Sequence, residues 1–470
     1  MATHQPRRVP KPTGASFTVT DPATGEAFDE APDQQGDELD TVIGRAHEAW
    51  RGWRTDPETR TTALLAAGDA VEAAGADMAV LLTREQGKPL AESYAEVART
   101  AARLRYYAQL GVPGPQPITD GRPVRSEIRW RSLGPVAAIV PWNFPLQIAS
   151  AKLAPALAAG NTMVLKPSPF TPLATRLLGS VLSAALPEDV LTVVTGHESL
   201  GARLASHPGI RHVTFTGSVS TGRAVARGAA SSLARVTLEL GGNDAAILLE
   251  DVDVERIADR LFWAAFRNCG QVCMAVKRLY APARLYDQVV EALAQRAKSA
   301  VVGAGLAPGT ELGPVSNVPQ LARIERCTSR ALADGARAAA GGHRLARPGY
   351  FFAPTILADV PPASAVVTQE QFGPVLPVMA YGSLDEAVVA ANDTGFGLGG
   401  SVWGTDLDEA AAVADRLECG TAWVNHHGEL SLAQPFAGIK DSGVGVAGGP
   451  WGLQGNLRPF VVHRPEEGRR

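Results

Sequence analysis

A cysteine, a glutamate and an asparagine occupy places in this chain where side chains can do chemistry. Cys273 closes the run Asn268-Cys269-Gly270-Gln271-Val272-Cys273, directly after the helical spacing of Val252 to Phe266. Glycine in such a loop lets backbone approach a ligand closely, and a thiol there is more accessible than one packed on a helix face. That placement suits a nucleophile, although a lone cysteine is more often a small buried hydrophobe. A metal reading of Cys269 and Cys273 is weaker, because no further cysteine pair or close histidine spacing completes four ligands. Glu239 lies in Thr237-Leu238-Glu239-Leu240-Gly241-Gly242-Asn243, at the end of an apolar run and before a glycine turn. Carboxylates are costly to bury, so one at the mouth of a sheet fits a general base as well as it fits a salt bridge or a turn cap. Asn143, in Pro141-Trp142-Asn143-Phe144-Pro145, sits in a turn fixed by two prolines. Its amide can donate to a developing negative oxygen, or simply stabilise the turn.

Three further segments fit a bound nucleotide. Gly217-Ser218-Val219-Ser220-Thr221-Gly222 falls between a strand pattern and a helix pattern, where backbone amides and a helix N-terminus can receive a pyrophosphate. Its glycine spacing is that of a P-loop, but Arg223 and Ala224 replace the required Lys and Ser or Thr, which excludes a nucleotide triphosphatase. Lys166 closes another strand pattern, where a dinucleotide fold often carries an acid for the adenosine ribose; a solvated lysine is the other reading. Glu370-Gln371-Phe372-Gly373-Pro374 offers a carboxylate and a ring that can anchor a loop or, beside a cofactor, hold a ribose and flank a nicotinamide.

The elements that must position these residues follow from periodicity. Asp37 to Leu110 reads as helical scaffold, with Asp56-Pro57 as an N-cap followed by proline in the first turn. From Gly134 short apolar runs alternate with helical stretches: 135–140, 162–165, 190–194, 212–215 and 235–240 read as buried strands, with a helix opening at Thr171-Pro172. A second series, 245–249, 277–281, 375–381, 401–403 and 421–425, implies a second α/β unit. Val124 to Arg131 and Arg458 to Arg464 alternate polar and apolar residues with a period of two. An exposed one-sided strand is a hazard, so each is expected to pair, with another subunit as the first candidate. No repeat of fixed period is present.

The 470 residues exceed what one hydrophobic core supports, so two domains with a cleft between them are expected. With 45% hydrophobic and 20% charged residues the chain has a globular composition. A formal net charge of -4 gives none of the positive field that nucleic acid requires. Met1 to Pro12 lacks the apolar core of a secretory signal, and no apolar run spans a bilayer; a cytoplasmic protein with no membrane partner is expected. Cys269, Cys273, Cys327 and Cys419 are too few for a disulfide scaffold, so free thiols are the default.

Taken together, the segments Pro141-Trp142-Asn143-Phe144-Pro145, Leu238-Glu239-Leu240-Gly241-Gly242, Gly270-Gln271-Val272-Cys273, Glu370-Gln371-Phe372-Gly373-Pro374 and Pro435-Phe436-Ala437-Gly438-Ile439-Lys440 resemble the aldehyde dehydrogenase superfamily, in its order and approximate spacing. The resemblance covers nearly the whole chain. It implies an α/β fold: a Rossmann-like cofactor domain (1–115 and 135–240), an α/β catalytic domain (241–440) and a small β oligomerisation element (116–134 and 453–470), in a homodimer or homotetramer. It implies Cys273 as nucleophile, Asn143 with the Cys273 N–H as oxyanion donors, and Glu239 as base. Trp142, Lys166, Gly217, Ser218, Leu240, Glu370 and Phe372 would meet the cofactor; Phe144, Gln147, Ala151, Val272 and Phe436 would line the aldehyde channel. That channel is expected to be moderately apolar, with no arginine pair announcing a dicarboxylic semialdehyde.

Glu239 favours hydrolysis to the free acid over the coenzyme A-acylating branch, whose members generally lack a carboxylate there. A cysteine hydrolase assisted by His426 or His427 is the rival from another class, and it leaves the cofactor segments unexplained. A non-catalytic protein that kept the fold is a third reading. The chain departs from the family in Lys166-Pro167-Ser168-Pro169, where strongly NAD-preferring members carry Glu in place of Pro169. Losing that carboxylate removes an acceptor for the ribose 2′-hydroxyl and a charge that repels a 2′-phosphate, so NAD and NADP are both expected. Val446-Ala447 replaces the usual Arg-Glu, and Cys269 is uncommon at its position, as inert packing or as a protective disulfide partner.

Overall fold

The computed structural model describes residues 11–118 and 124–465. Four helices, Glu38–Trp53, Pro57–Ala73, Gly75–Gln86 and Leu90–Leu110, fill the region expected to be helical. The Asp56 carboxylate accepts the Thr59 N–H and caps the second of them, with Pro57 in its first turn. These helices pack on the first sheet through one apolar core that includes Leu64, Met78, Leu82, Leu104, Leu153 and Leu165.

That first sheet runs, edge to edge, Gly443–Val444, Arg235–Glu239, His212–Thr216, Pro135–Ile139, Thr162–Lys166, Leu191–Val193. Its last five strands are parallel, and only Gly443–Val444 pairs antiparallel. The chain starts this parallel set in the middle, at Pro135–Ile139, builds outward to one side, then returns to build the other. The direction of building reverses between Pro135–Ile139 and His212–Thr216. A wound sheet opens a crevice at the carboxyl ends of such a strand pair, which is where Pro141-Trp142-Asn143 and Gly217-Ser218 leave it.

The second sheet has seven strands in the order Arg337–Ala340, Thr355–Ala358, Val375–Tyr381, Val276–Pro282, Asp244–Leu248, Gly399–Trp403, Thr421–Val424. All pairs are parallel except the first. Two of its strands were not foreseen. Arg337–Ala340 has a helix-favouring composition overridden by pairing, and Thr355–Ala358 is too short to show a period. The hairpin Ser16–Asp21 with Glu26–Pro32 was also unforeseen, since its charged outer residues hide an apolar side of only a few positions.

The two lone segments correct an expectation. Val124–Ser132 and Leu457–Pro465 pair with each other, antiparallel and in register from Leu457 with Ser132 to Pro465 with Val124, so the partner is this same chain. Gln116–Ile118 adds a short third strand. Among the described residues no helix is long and apolar enough to cross a membrane.

Candidate active site

The nucleophile loop is held by backbone constraint. The helix Val254–Phe266, capped by the Asp253 carboxylate, ends at Phe266, and Asn268, Cys269 and Gly270 then take left-handed φ of 49°, 55° and 69°. At Gly270 a Cβ would lie 2.1 Å from the Gly373 carbonyl oxygen, so only glycine fits. The Lys277 ammonium donates to the Gly270 carbonyl, and Gln271 accepts the Ser316 N–H at 2.8 Å. Cys273 emerges half-buried and free. Burial pushes its thiol up, and the carboxylates of Glu370, Glu239 and Asp244 add to that; the Met274 N–H pulls the other way. That direction favours the thiol over the thiolate.

Asn143 is fixed from both ends. Its carbonyl accepts the Lys88 ammonium at 2.7 Å and the Asn268 amide at 2.9 Å, and its own Nδ2 donates to the Gln271 carbonyl at 2.9 Å. The second Nδ2 hydrogen has no acceptor among the described residues, so it is available to a ligand. Lys88 forms a buried ion pair with Glu96 at 2.6 Å, and Glu96 also receives the first N–H groups of the helix Pro145–Ala158, from Leu146 and Gln147, at 2.9 and 3.0 Å. Glu92, one turn before Glu96, accepts the Asn268 N–H at 3.2 Å. One helix, Leu90–Leu110, thereby ties the asparagine turn to the cysteine loop.

Glu239 ends its strand half-buried, accepting the Thr216 hydroxyl at 3.0 Å, with the Lys152 ammonium 3.8 Å away. Lys152 is buried and donates to Thr214, and burial lowers its pKa against the opposing pull of Glu239.

Two cavities meet at these residues. The larger, about 620 Å³, is lined by Phe144, Gln147, Ala151, Val272 and Phe436, and also by Glu239. The smaller, about 130 Å³, is lined by Trp142, Gly217, Ser218, Leu240, Glu370 and Phe372. Asn143, Thr216 and Cys273 face both. Lys166 lines neither; it lies at the end of its strand with Nζ 3.2 Å from the Pro167 carbonyl, held down to about 8 by burial against Glu198 and Asp33.

The smaller groove fits a dinucleotide. The Ser218 hydroxyl caps the helix Val219–Ala230 by accepting the Thr221 N–H, so an anion can share that N-terminus. At Gly241 a Cβ would meet the Glu370 carboxylate at 2.5 Å, and at Gly222 it would meet Leu240 at 2.4 Å; both glycines keep space that any side chain would fill. Glu370 accepts the Gly242 N–H at 3.1 Å, and Trp142 meets Phe372 edge to face at 5.4 Å.

The aldehyde dehydrogenase family model matches residues 9–459. The chain belongs to that family. A phenylacetaldehyde dehydrogenase of Pseudomonas fluorescens is 39% identical over 447 residues, covering 92% of this chain and 89% of that protein. An NADP(+) succinate-semialdehyde dehydrogenase of Escherichia coli strain K12 is 36% identical over 454 residues, covering 94% and 93%. Among solved structures, betaine aldehyde dehydrogenase of Staphylococcus aureus in complex with NAD+ superposes with a TM-score of 0.94 at 31% identity, covering 97% of this chain and 93% of that one. This aldehyde dehydrogenase is therefore an NAD(P)-dependent oxidoreductase that oxidises an aldehyde to its acid.

The structure also corrects the channel. Arg99, Arg103 and Arg267 all line the larger cavity beside its apolar side chains, so the expectation that no arginine pair faces the channel does not hold. Arg99 and Arg103, spaced by four, project from one helix face, a signal present in the sequence but hidden in a region read as scaffold. Lys88 and Glu96 were missed for the same reason. His426 and His427 line this cavity too, but His427 is committed to the Met274 carbonyl at 2.7 Å and to Ser401 at 2.9 Å. No histidine bonds the Cys273 thiol among the described residues, which leaves the cysteine hydrolase without its base. Cys269 is buried in the second sheet's core, where burial pushes its thiol up to about 12.

Proposed function

We propose that Cys273 is the nucleophile, Asn143 the oxyanion donor and Glu239 the base of this aldehyde oxidation. The observation that carries the assignment is the position of Cys273 and Asn143 on the wall between two cavities, with Glu239 on the larger side alone. The sulfur adds to the aldehyde carbon from the larger cavity, and its proton passes through Glu239 to solvent, which returns Glu239 to its carboxylate form. The free Asn143 N–H and the Cys273 N–H receive the tetrahedral oxyanion, each donor contributing roughly a hundredfold to a thousandfold. Trp142, Gly217, Ser218, Leu240, Glu370 and Phe372 would hold a nicotinamide dinucleotide in the smaller groove, with Lys166 toward its adenosine ribose, and the dinucleotide would supply the hydride acceptor. Glu239, oriented by Thr216 and Lys152, then takes a proton from the water that cleaves the Cys273 thioester, a contribution of about 10²- to 10⁴-fold. Because Glu239 is present, the product is the free acid rather than a coenzyme A thioester.

Both dinucleotides are accommodated, since Pro169 offers neither an acceptor for a 2′-hydroxyl nor a charge against a 2′-phosphate. The domain assignment is 1–115 with 135–240 for the cofactor and 241–440 for catalysis, with 116–134 and 453–470 bridging subunits. The outer edge of Leu457–Pro465, with Val461 exposed, supports a homodimer or homotetramer, and four free cysteines support a cytoplasmic setting. The test is absorbance of reduced nicotinamide with an aldehyde, together with the mass of the Cys273 peptide in Glu239→Gln. An acyl adduct is expected there; an unmodified peptide after aldehyde and cofactor overturns the assignment.

A further inference from the structure

The larger cavity carries more positive charge than aldehyde chemistry requires. Arg99 and Arg103 are half-buried on the helix Leu90–Leu110, and Arg267 stands at the mouth, at the end of the helix that leads to Cys273. Their present partners are mostly neutral. Arg99 donates to the Leu430 carbonyl, and its Nε has no partner among the described residues. Arg103 donates to the Gln147 carbonyl at 2.7 Å and the Ser150 hydroxyl at 2.9 Å. Neither forms an ion pair among the described residues. Arg267 lies 3.9 Å from Glu92, a carboxylate that also serves the Asn268 N–H.

The three guanidinium-bearing residues line one cavity, and Arg99 and Arg103 lie four residues apart on one helix. Burial lowers the pKa of Arg99, and the charge of Arg267 lowers it further. Burial holds Arg103 down to about 10, with Arg99 adding to the effect while Glu239 and Glu96 act against it. Arginine side chains are not deprotonated in proteins, so the cavity wall is positively charged. The acids on the cavity wall are Glu239, already paired with Thr216 and Lys152, and the exposed Glu429. Holding three like charges around one space costs energy in the empty protein, and an anion that enters relieves it. Guanidinium forks suit an oxygen anion, which they can bind through paired N–H donors.

We infer that the preferred aldehyde carries an anionic group, of carboxylate type, at the end remote from its carbonyl, and that Arg99, Arg103 and Arg267 bind it. The inference rests on the aldehyde oxidation proposed above. It names the chemistry that separates this cavity from one built for a neutral substrate. Arg267, six residues before Cys273 in sequence, and the pair Arg99 and Arg103 approach the space from different elements, so a cavity of about 620 Å³ admits either a short chain or an aromatic ring between the reacting carbon and the anion.

The experiment compares kcat/KM for two matched pairs of aldehydes, 4-oxobutanoate against pentanal and 4-formylbenzoate against 4-methylbenzaldehyde, with both cofactors. The carboxylate member of at least one pair is expected to be preferred by about tenfold to a hundredfold, the range of a charge-assisted hydrogen bond. That preference should shrink as salt is raised. In Arg99→Met and Arg267→Met, each checked by thermal melting, the ratio of charged to neutral substrate should fall at least severalfold, through KM more than kcat. The salt series on the unaltered enzyme keeps the test decisive if a variant does not fold. Oxidation of all four aldehydes with ratios of one or less overturns the inference and leaves the oxidation standing. A preference that neither salt nor either substitution reduces overturns the role of the arginines. No reduced cofactor with any of the four overturns the oxidation reading and this inference with it.

Discussion

The two cavities that meet at Cys273 are made differently. The smaller is framed by backbone turns at the carboxyl ends of parallel strands, with glycines at 217 and 241 and one capped helix, and is closed by Trp142, Glu370 and Phe372. The larger is built from side chains contributed by separate elements: the helices Leu90–Leu110 and Pro145–Ala158, the cysteine loop, and residues 426–436. Backbone geometry demands particular residue types at fixed spacing, whereas a side-chain wall can be assembled from any surface that happens to face inward. Changes in the first should therefore affect every aldehyde alike, and changes in the second should separate one aldehyde from another.

The largest expected effect is at the junction. Glu239→Gln should lower steady-state turnover of all aldehydes by about 10²- to 10⁴-fold, with acyl-enzyme accumulating after a burst of reduced cofactor. A loss restricted to charged aldehydes would break the contrast, because it would move Glu239 from chemistry to substrate binding. Lys88→Met should follow. It leaves Glu96 charged and buried, at about 3–5 kcal/mol of stability, and it frees the Asn143 carbonyl, so the melting temperature and the turnover of every aldehyde should both fall. An unaltered melting curve would show that the clamp does not hold the junction.

A third expectation concerns the sheet beneath the groove. His212 is buried between Asn456 and Thr237, and burial holds it down to about 4 against an ordinary value of 6.5. The unfolded chain binds this proton more readily, so the contribution is present above pH 6.5 and is lost as pH falls toward 4. By linkage it amounts to about 3 kcal/mol. His212→Gln should flatten the fall in stability across that window, as measured by thermal melts; an unchanged slope would assign the acid sensitivity elsewhere. The smallest effect is on cofactor choice. The values of kcat/KM for NAD and NADP should lie within about a thousandfold, roughly 4 kcal/mol, and a stronger preference for NAD would show that another group replaces the missing carboxylate at 169.

Legibility in the sequence followed the same division. The wound sheet was readable because its strands are buried on both faces and show as continuous apolar runs, and the groove residues were readable because glycines and prolines mark the turns that carry them. The arginines were not readable. Arg99 and Arg103 sit in a helix with ordinary amphipathic spacing, and nothing local distinguishes a charge facing solvent from one facing a cavity. Lys88 and Glu96 were hidden likewise, since their partners at Asn143, Leu146 and Gln147 lie about fifty residues away. The pairing of Val124–Ser132 with Leu457–Pro465 spans most of the chain, and period-two alternation states that a strand needs a partner without saying which.

The most direct measurement is turnover by Cys273→Ala, with folding checked by melting and dinucleotide binding checked by titration. The account predicts a folded protein that still binds the dinucleotide and forms no reduced cofactor above the uncatalysed rate with any aldehyde. Oxidation at the rate of the unaltered enzyme would contradict it.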